Sequence, residues 1–167
     1  MPDAILQVRN VVKRFGGIIA VNKISFDVRE GEILGLIGPN GAGKTTLFNC
    51  ITGIYVPEEG RVYFKGEDIT KVPTHKRVER GIAMVPELLL LDEPSLGLAP
   101  KIVLEVFDVI KKLKEEGVTI LIVEQHVKNS LETADRAYVM EIGRIVLEGE
   151  ARSLLKDERL KKAYLVI

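Results

Sequence analysis

Residues 33–45 read Ile33-Leu34-Gly35-Leu36-Ile37-Gly38-Pro39-Asn40-Gly41-Ala42-Gly43-Lys44-Thr45. The first five are too uniformly apolar for a half-exposed strand. They fit a strand buried on both faces, as in a parallel sheet covered by helices. The next eight satisfy the P-loop pattern, a glycine-rich loop ending in Gly-Lys-Ser/Thr. Its glycines let the backbone wrap closely, so that N–H groups point inward at phosphate oxygens. A short helix expected from Lys44 to about Thr52 aims its positive end at the same place. Lys44 is then placed to bridge the terminal phosphates and the Thr45 hydroxyl to ligate Mg²⁺. A flexible loop that happens to hold a lysine is the alternative, disfavoured by the buried strand before it and the helix after it.

On the amino-terminal side, Ile5, Gln7 and Arg9 alternate with Leu6, Val8 and Asn10, and Lys23 to Val28 alternates again, the two-residue period of strands. Gly16-Gly17 and Glu30-Gly31 punctuate these runs. On the carboxyl side, Pro57-Glu58-Glu59-Gly60 reads as a turn and Arg61 to Lys65 as a strand. Thr74 reads as the cap of a helix ending near Arg80. Pro100 suits a first helical turn, and Ile102, Val103, Val106, Phe107, Val109, Ile110 and Leu113 form a core-packing stripe closed by Gly117. Val118 to Val123 is a further buried strand, followed by a helix over Val127 to Ala134. Tyr138-Val139-Met140 and Ile145-Val146-Leu147 flank Gly143 as a hairpin, and two short helices finish the chain. Alternating buried strands and helices predict an α/β fold with a mainly parallel central sheet.

The chain has 167 residues, 46% of them apolar, which suits one domain with a sizeable core. Lys+Arg and Asp+Glu both number 24, so no bulk charge is available to hold nucleic acid or an anionic membrane surface. A local anion site remains compatible with that balance. A lone Cys50 excludes an intrachain disulfide and a multi-thiolate metal centre. No apolar run approaches the roughly 18 residues of a membrane span, and MPDAILQVRN lacks the pattern of a secretory signal. Together these predict a soluble domain of a reducing compartment.

Leu88-Leu89-Leu90-Leu91 followed by Asp92-Glu93 places two carboxylates at the carboxyl end of a buried strand, where ligands sit in open α/β sheets. Asp92 would hold Mg²⁺ directly or through water. Glu93 is placed to orient or deprotonate an attacking water. Alone, such a pair reads as a solvated turn; beside a P-loop it points to a nucleoside triphosphate.

With both motifs in hand, the chain resembles the ATP-binding subunits of ABC transporters. The likeness is strongest to the branched-chain amino acid importers, with the lipopolysaccharide exporter ATPase a near relative. It rests on "VVKRFGGIIAVNKISFDVREGEILGLIGPNGAGKTTLFNCITG", "LLLLDEPSLGLAP", "LIVEQH" and "ADRAYVMEIGRIVLEGE". The resemblance implies a P-loop NTPase core with an N-terminal antiparallel β subdomain, and ATP and Mg²⁺ as ligands. It matches Phe15 to an aromatic that stacks on adenine, although a plain core Phe fits as well. Gly38, Pro39, Asn40, Gly41, Ala42, Gly43, Lys44, Thr45 and Thr46 match the Walker A loop, with Thr45 on the metal. Asp92 and Glu93 match the Walker B aspartate and catalytic glutamate. Ser95-Leu96-Gly97-Leu98 matches the D-loop. Glu87 stands at the Q-loop position, among the expected metal ligands. In "VEQH" the switch position falls on Gln125, with His126 next to it; either is placed to sense the γ-phosphate, and His126 reads equally as a surface residue starting a helix. Membrane permease subunits and a second ATP-binding subunit are the implied partners, at the inner face of the cell membrane; nucleic acid is not.

In that family a helical subdomain carrying an LSGGQ signature lies between Q-loop and Walker B. Here Glu87 abuts Leu88, and no Ser-Gly-Gly triplet occurs anywhere. The chain is thus expected to be a single truncated ATP-binding domain over 1–167. Loss of a trans-acting group of this kind is expected to impair hydrolysis. The same loss removes most of the surface for the permease. A non-catalytic nucleotide-binding or interaction module is the alternative. Parallel neighbours need a crossover of about a dozen residues, which the junction lacks. Ile82 to Leu91 is therefore predicted to form one strand, continuous or kinked at Pro86, with Walker B keeping its slot.

Overall fold

The computed structural model describes residues 3–82 and 87–165. Two sheets share the chain. Strands β1 (Ala4–Phe15), β2 (Ile18–Arg29), β4 (Glu59–Phe64) and β5 (Glu67–Asp68) form an antiparallel sheet in the order β2-β1-β4-β5. Strands β3 (Ile33–Ile37), β6 (Leu88–Asp92), β7 (Thr119–Glu124), β8 (Arg136–Glu141) and β9 (Arg144–Glu150) form the second sheet in the order β6-β7-β3-β8-β9. Its first four strands run parallel, and β9 returns antiparallel to β8. The α/β architecture expected from the sequence, with its N-terminal antiparallel part, is the one that forms.

β3 and β7 are buried along their whole length, β3 as its apolar sequence requires and β7 with Thr119 and Glu124 buried at its two ends. The alternating pattern of β1 and β2 places Leu6, Val8, Ile24, Phe26 and Val28 in a shared core with Leu34, Leu36 and Leu47. α1 (Lys44–Thr52) lies on this side of the parallel sheet. α3 (Pro100–Glu115) covers the other side through Val103, Phe107 and Ile110 against Ile33, Ile120 and Ile122. Pro100 occupies the first turn of α3 as expected, its missing N–H costing nothing there. α2 (Thr74–Glu79) differs at its start: Pro73 holds the cap position, and no side chain caps the helix. α4 (Val127–Thr133) and α5 (Ala151–Leu154) pack with Ile37 and Val139. The chain closes with α6 (Glu158–Leu160), which runs on into a π-helical turn, Lys161–Leu165.

The expectation for residues 82–91 is corrected. Ile82 makes a parallel bridge to Leu88, so it lies beside β6 rather than in line with it. In one continuous strand these two residues would stand about 20 Å apart. Residues 83–86, and any kink at Pro86, lie outside the described residues. Walker B does keep its slot: Leu88 to Asp92 pair in register with Thr119 to Val123.

Candidate functional site

The segment 38–43 leaves the end of β3 and delivers the chain into α1. Gly43, at φ 95°, is the residue that makes the entry; a Cβ there would collide with the Ala20 carbonyl of β2. The loop encloses a cavity of about 160 Å³ lined by Asn40, Gly41, Ala42, Gly43, Lys44, Thr45, Thr46 and Glu93. Eight positions expected to act together from the sequence are thereby gathered around one space. Gly38 and Pro39 contribute carbonyls just behind it.

Lys44 is only 4% exposed, and its ammonium donates to the Gly38 and Pro39 carbonyls at 2.7 and 2.8 Å. Burial lowers its pKa from the ordinary lysine value, opposed by the charges of Glu93, Asp92 and Glu124. A buried ammonium held only by neutral carbonyls lacks a counter-anion among its hydrogen-bond partners, and the adjoining cavity is floored by a helix N-terminus. That combination fits a phosphate chain.

The Thr45 hydroxyl, at the start of α1, stands near the Asp92 carboxylate at the end of β6. Burial raises the Asp92 pKa, while the nearby Thr45 hydroxyl and the Lys44 charge oppose the rise. Two hard oxygen donors from one hydroxyl and one carboxylate fit Mg²⁺, which takes its remaining ligands from phosphate and water. Among the described residues no group of three or more His, Cys, Asp or Glu side chains forms a metal cage. Glu87 does not fit it. It stands at the start of β6, five residues and about 17 Å of strand from Asp92, and pairs with Lys65 at the end of β4. The direct junction to Leu88 pins it to the wrong end of the sheet for a metal shared with Thr45.

Glu93 faces the loop cavity with φ 46°, an uncommon conformation for a side-chain-bearing residue. Its N–H donates to the Val123 carbonyl at 2.7 Å, and its carbonyl accepts from Leu96. Phe15 is 43% exposed, so it is not a core residue. It meets Tyr55 edge-on at 5.3 Å, and the Lys13 ammonium lies 5.3 Å from its ring. Gln125 follows β7 directly, and His126 occupies the cap position of α4 with its side chain exposed. Neither lines the loop cavity.

Two contributors went unread in the sequence. Glu124 is fully buried at the end of β7 and accepts from the Ser95 N–H (3.0 Å), the Ser95 hydroxyl (2.6 Å) and the Gln125 N–H (3.2 Å). An acid directly after the apolar run Ile120–Val123 was the available signal. Tyr55 carried no local signal, because its contact with Phe15 spans forty residues.

A phosphate-binding loop at the end of a buried parallel strand, with a carboxylate-bearing strand two positions away across β7, defines a P-loop nucleotide-binding protein. The chain belongs to the ABC transporter family, whose model matches residues 21–158. It is similar to the high-affinity branched-chain amino acid transport ATP-binding protein BraG of Pseudomonas aeruginosa, 31% identical over 221 aligned residues covering 90% of this chain and 95% of that one. The lipopolysaccharide export system ATP-binding protein LptB of Escherichia coli K12 is 26% identical, with 97% of each chain covered. Among solved structures, the ADP conformation of MJ1267, an ATP-binding cassette of an ABC transporter, superposes with a TM-score of 0.87 at 25% identity, covering 99% of this chain and 100% of that one.

Proposed function

We propose that the chain holds Mg-ATP on residues 38–46 as the ATP-binding subunit of a branched-chain amino acid importer, with hydrolysis impaired. The observation that carries the nucleotide reading is Lys44, a buried ammonium between loop carbonyls beside a cavity lined by the loop and the first turn of α1. In this reading Lys44 and the amides of the loop bind the phosphates, and Phe15 with Tyr55 offers the adenine a face. Thr45 and Asp92 would hold Mg²⁺, whose charge would offset that of the phosphates. Glu93 orients water at the mouth of the cavity, and Gln125 or His126 acts as the switch residue. The importer assignment is supported by the higher identity to BraG than to LptB.

Impaired turnover is supported by length as well as by motif. The match to BraG runs over 221 aligned residues but draws on 90% of 167, about 150, so about 70 aligned positions face no residue here. A segment of that size fits the helical subdomain expected between Glu87 and Leu88. Removing a comparable trans-acting group costs about 10³–10⁵ in rate. No helix of the described residues is long and apolar enough to cross a membrane. Work at the inner membrane face would therefore go through permease subunits and a second ATP-binding subunit.

The test is ATP binding and hydrolysis by the unaltered chain and by Lys44→Ala. Binding that Lys44→Ala abolishes, with turnover at or near background, is the expected result. Hydrolysis at the rate of an intact relative would overturn the impairment. Absence of binding would leave the interaction-module reading.

A further inference from the structure

The turn closing β8 and β9 touches the phosphate loop from behind. Ile142 and Gly143 both have left-handed φ, 47° and 73°, the pairing of a two-residue type I′ hairpin turn. The Gly143 N–H donates to the Ala42 carbonyl at 2.9 Å, and the Gly143 carbonyl accepts from the Asn22 N–H at 2.8 Å. One residue of the hairpin thus ties the loop of residues 38–43 to β2 of the other sheet.

The consequence follows from peptide geometry. The C=O and N–H of a trans peptide point opposite ways. A donor that draws the Ala42 carbonyl outward therefore turns the N–H of the same peptide, that of Gly43, the other way, toward the cavity that both residues line. Among the described residues the Gly43 N–H donates to no backbone carbonyl outside the regular elements, which leaves it free for an anion beside the open first-turn donors of α1.

We propose that Gly143 is a positioning residue for phosphate binding, its amide fixing the Ala42–Gly43 peptide so that the Gly43 N–H faces the anion. The site admits glycine alone. A Cβ at 143 would run into the Ala20 carbonyl, the same atom that excludes a Cβ at Gly43. The β8–β9 turn, the phosphate loop and β2 thus meet backbone to backbone at Ala20. This inference rests on the reading of residues 38–46 as a nucleotide site.

Two variants test it. Asn tolerates a left-handed φ, so Gly143→Asn keeps the turn while driving a Cβ into Ala20. Ile142→Asn changes the neighbouring, 87% exposed turn position, away from the loop. Hydrogen–deuterium exchange over residues 38–44 is measured without nucleotide, and ATP affinity is measured well below each variant's melting temperature. Gly143→Asn is expected to speed exchange in the loop and raise the Kd about tenfold, the loss of one well-placed hydrogen bond. Ile142→Asn is expected to change neither. A lower melting temperature for Gly143→Asn with unchanged exchange and unchanged Kd would make Gly143 merely structural and overturn the proposal. Faster exchange in a protein whose unaltered form binds no ATP would sink the nucleotide reading while upholding the hold on the loop.

Discussion

Glu124 shows how one side chain organises the region around the phosphate loop. It pairs in register with Ile37, the last residue of β3, and its neighbour Val123 pairs with Asp92. Its carboxylate therefore sits between the strand that feeds the loop and the strand that presents Asp92 and Glu93. Ser95 brings both its N–H and its hydroxyl to that carboxylate, so the chain just after Glu93 is anchored at a fully buried point. The anchor holds Glu93 in a left-handed conformation that costs a side-chain-bearing residue about 1–2 kcal/mol when unsupported. Replacing Glu124 by Ala strands the two buried Ser95 donors and the part-buried Gln125 N–H, a buried donor costing roughly 1–3 kcal/mol when unpaired. We expect Glu124→Ala to lose about 3 kcal/mol or more in urea unfolding. Glu124→Gln, which retains one acceptor oxygen, should lose about half as much. Equal stability of both variants and the unaltered chain would show that Ser95 is anchored by something else.

The helix that carries Lys44 depends on a charge it does not itself contain. The last turn of α1 has no basic residue, although the negative end of a helix dipole favours one. Arg77 of α2 supplies it. Its guanidinium is 1% exposed and donates to the Cys50 and Ile51 carbonyls at 2.9 and 2.6 Å, and to Thr70 and Val72 at 3.0 and 2.7 Å. Burial lowers its pKa to about 10, which still leaves it protonated at neutral pH. Arg77→Met should deprive four carbonyls, three of them buried, of their partner and destabilise the fold by about 3–5 kcal/mol in chemical denaturation. Arg77→Lys, with three donors and no planar fork, should fall between. An Arg77→Met protein as stable as the original would mean that α1 needs no help from α2. The bounds of α1 itself, Lys44–Thr52, were legible because the loop glycines and Gly53 mark them locally. The role of Arg77 was not legible, since its partners lie up to 27 residues away and are backbone atoms. Glu124 was hidden for the same reason, inside a motif whose meaning was sought in the next two residues. The β1–β2 hairpin was only half read: alternation predicted strand over Lys23 to Val28, yet pairing with β1 extends β2 back to Ile18.

Across the whole molecule, the two sheets meet at the phosphate loop, and the junction at Glu87–Leu88 disturbs only the far edge. β6 keeps its pairing with β7, so Asp92 and Glu93 arrive at the loop as the motif requires. The cost falls on the segment before it. Ile82 lies parallel to Leu88, but the five residues between them are fewer than the dozen or so a parallel crossover uses. Glu87 is consequently held at the start of β6 with Lys65, at the opposite end of the strand from Asp92. Neutral overall charge is no obstacle to the proposed anion site, because backbone amides and one lysine would supply the attraction. Under the proposed function these placements separate binding from turnover: residues 38–46 are assembled as that reading requires, while Glu87 is held away from them. Splicing about 70 residues of helical segment from an intact relative between Glu87 and Leu88 should release Glu87 from Lys65. It should also give Ile82 and its neighbours the length to run beside β6. ATP affinity should change little, since residues 38–46 are already in place. Turnover should rise on the order of 10³-fold, the scale on which a supplied trans-acting group accelerates phosphoryl transfer. If the spliced protein binds ATP as before and hydrolyses it no faster, the proposed loss of that segment is not what limits this chain.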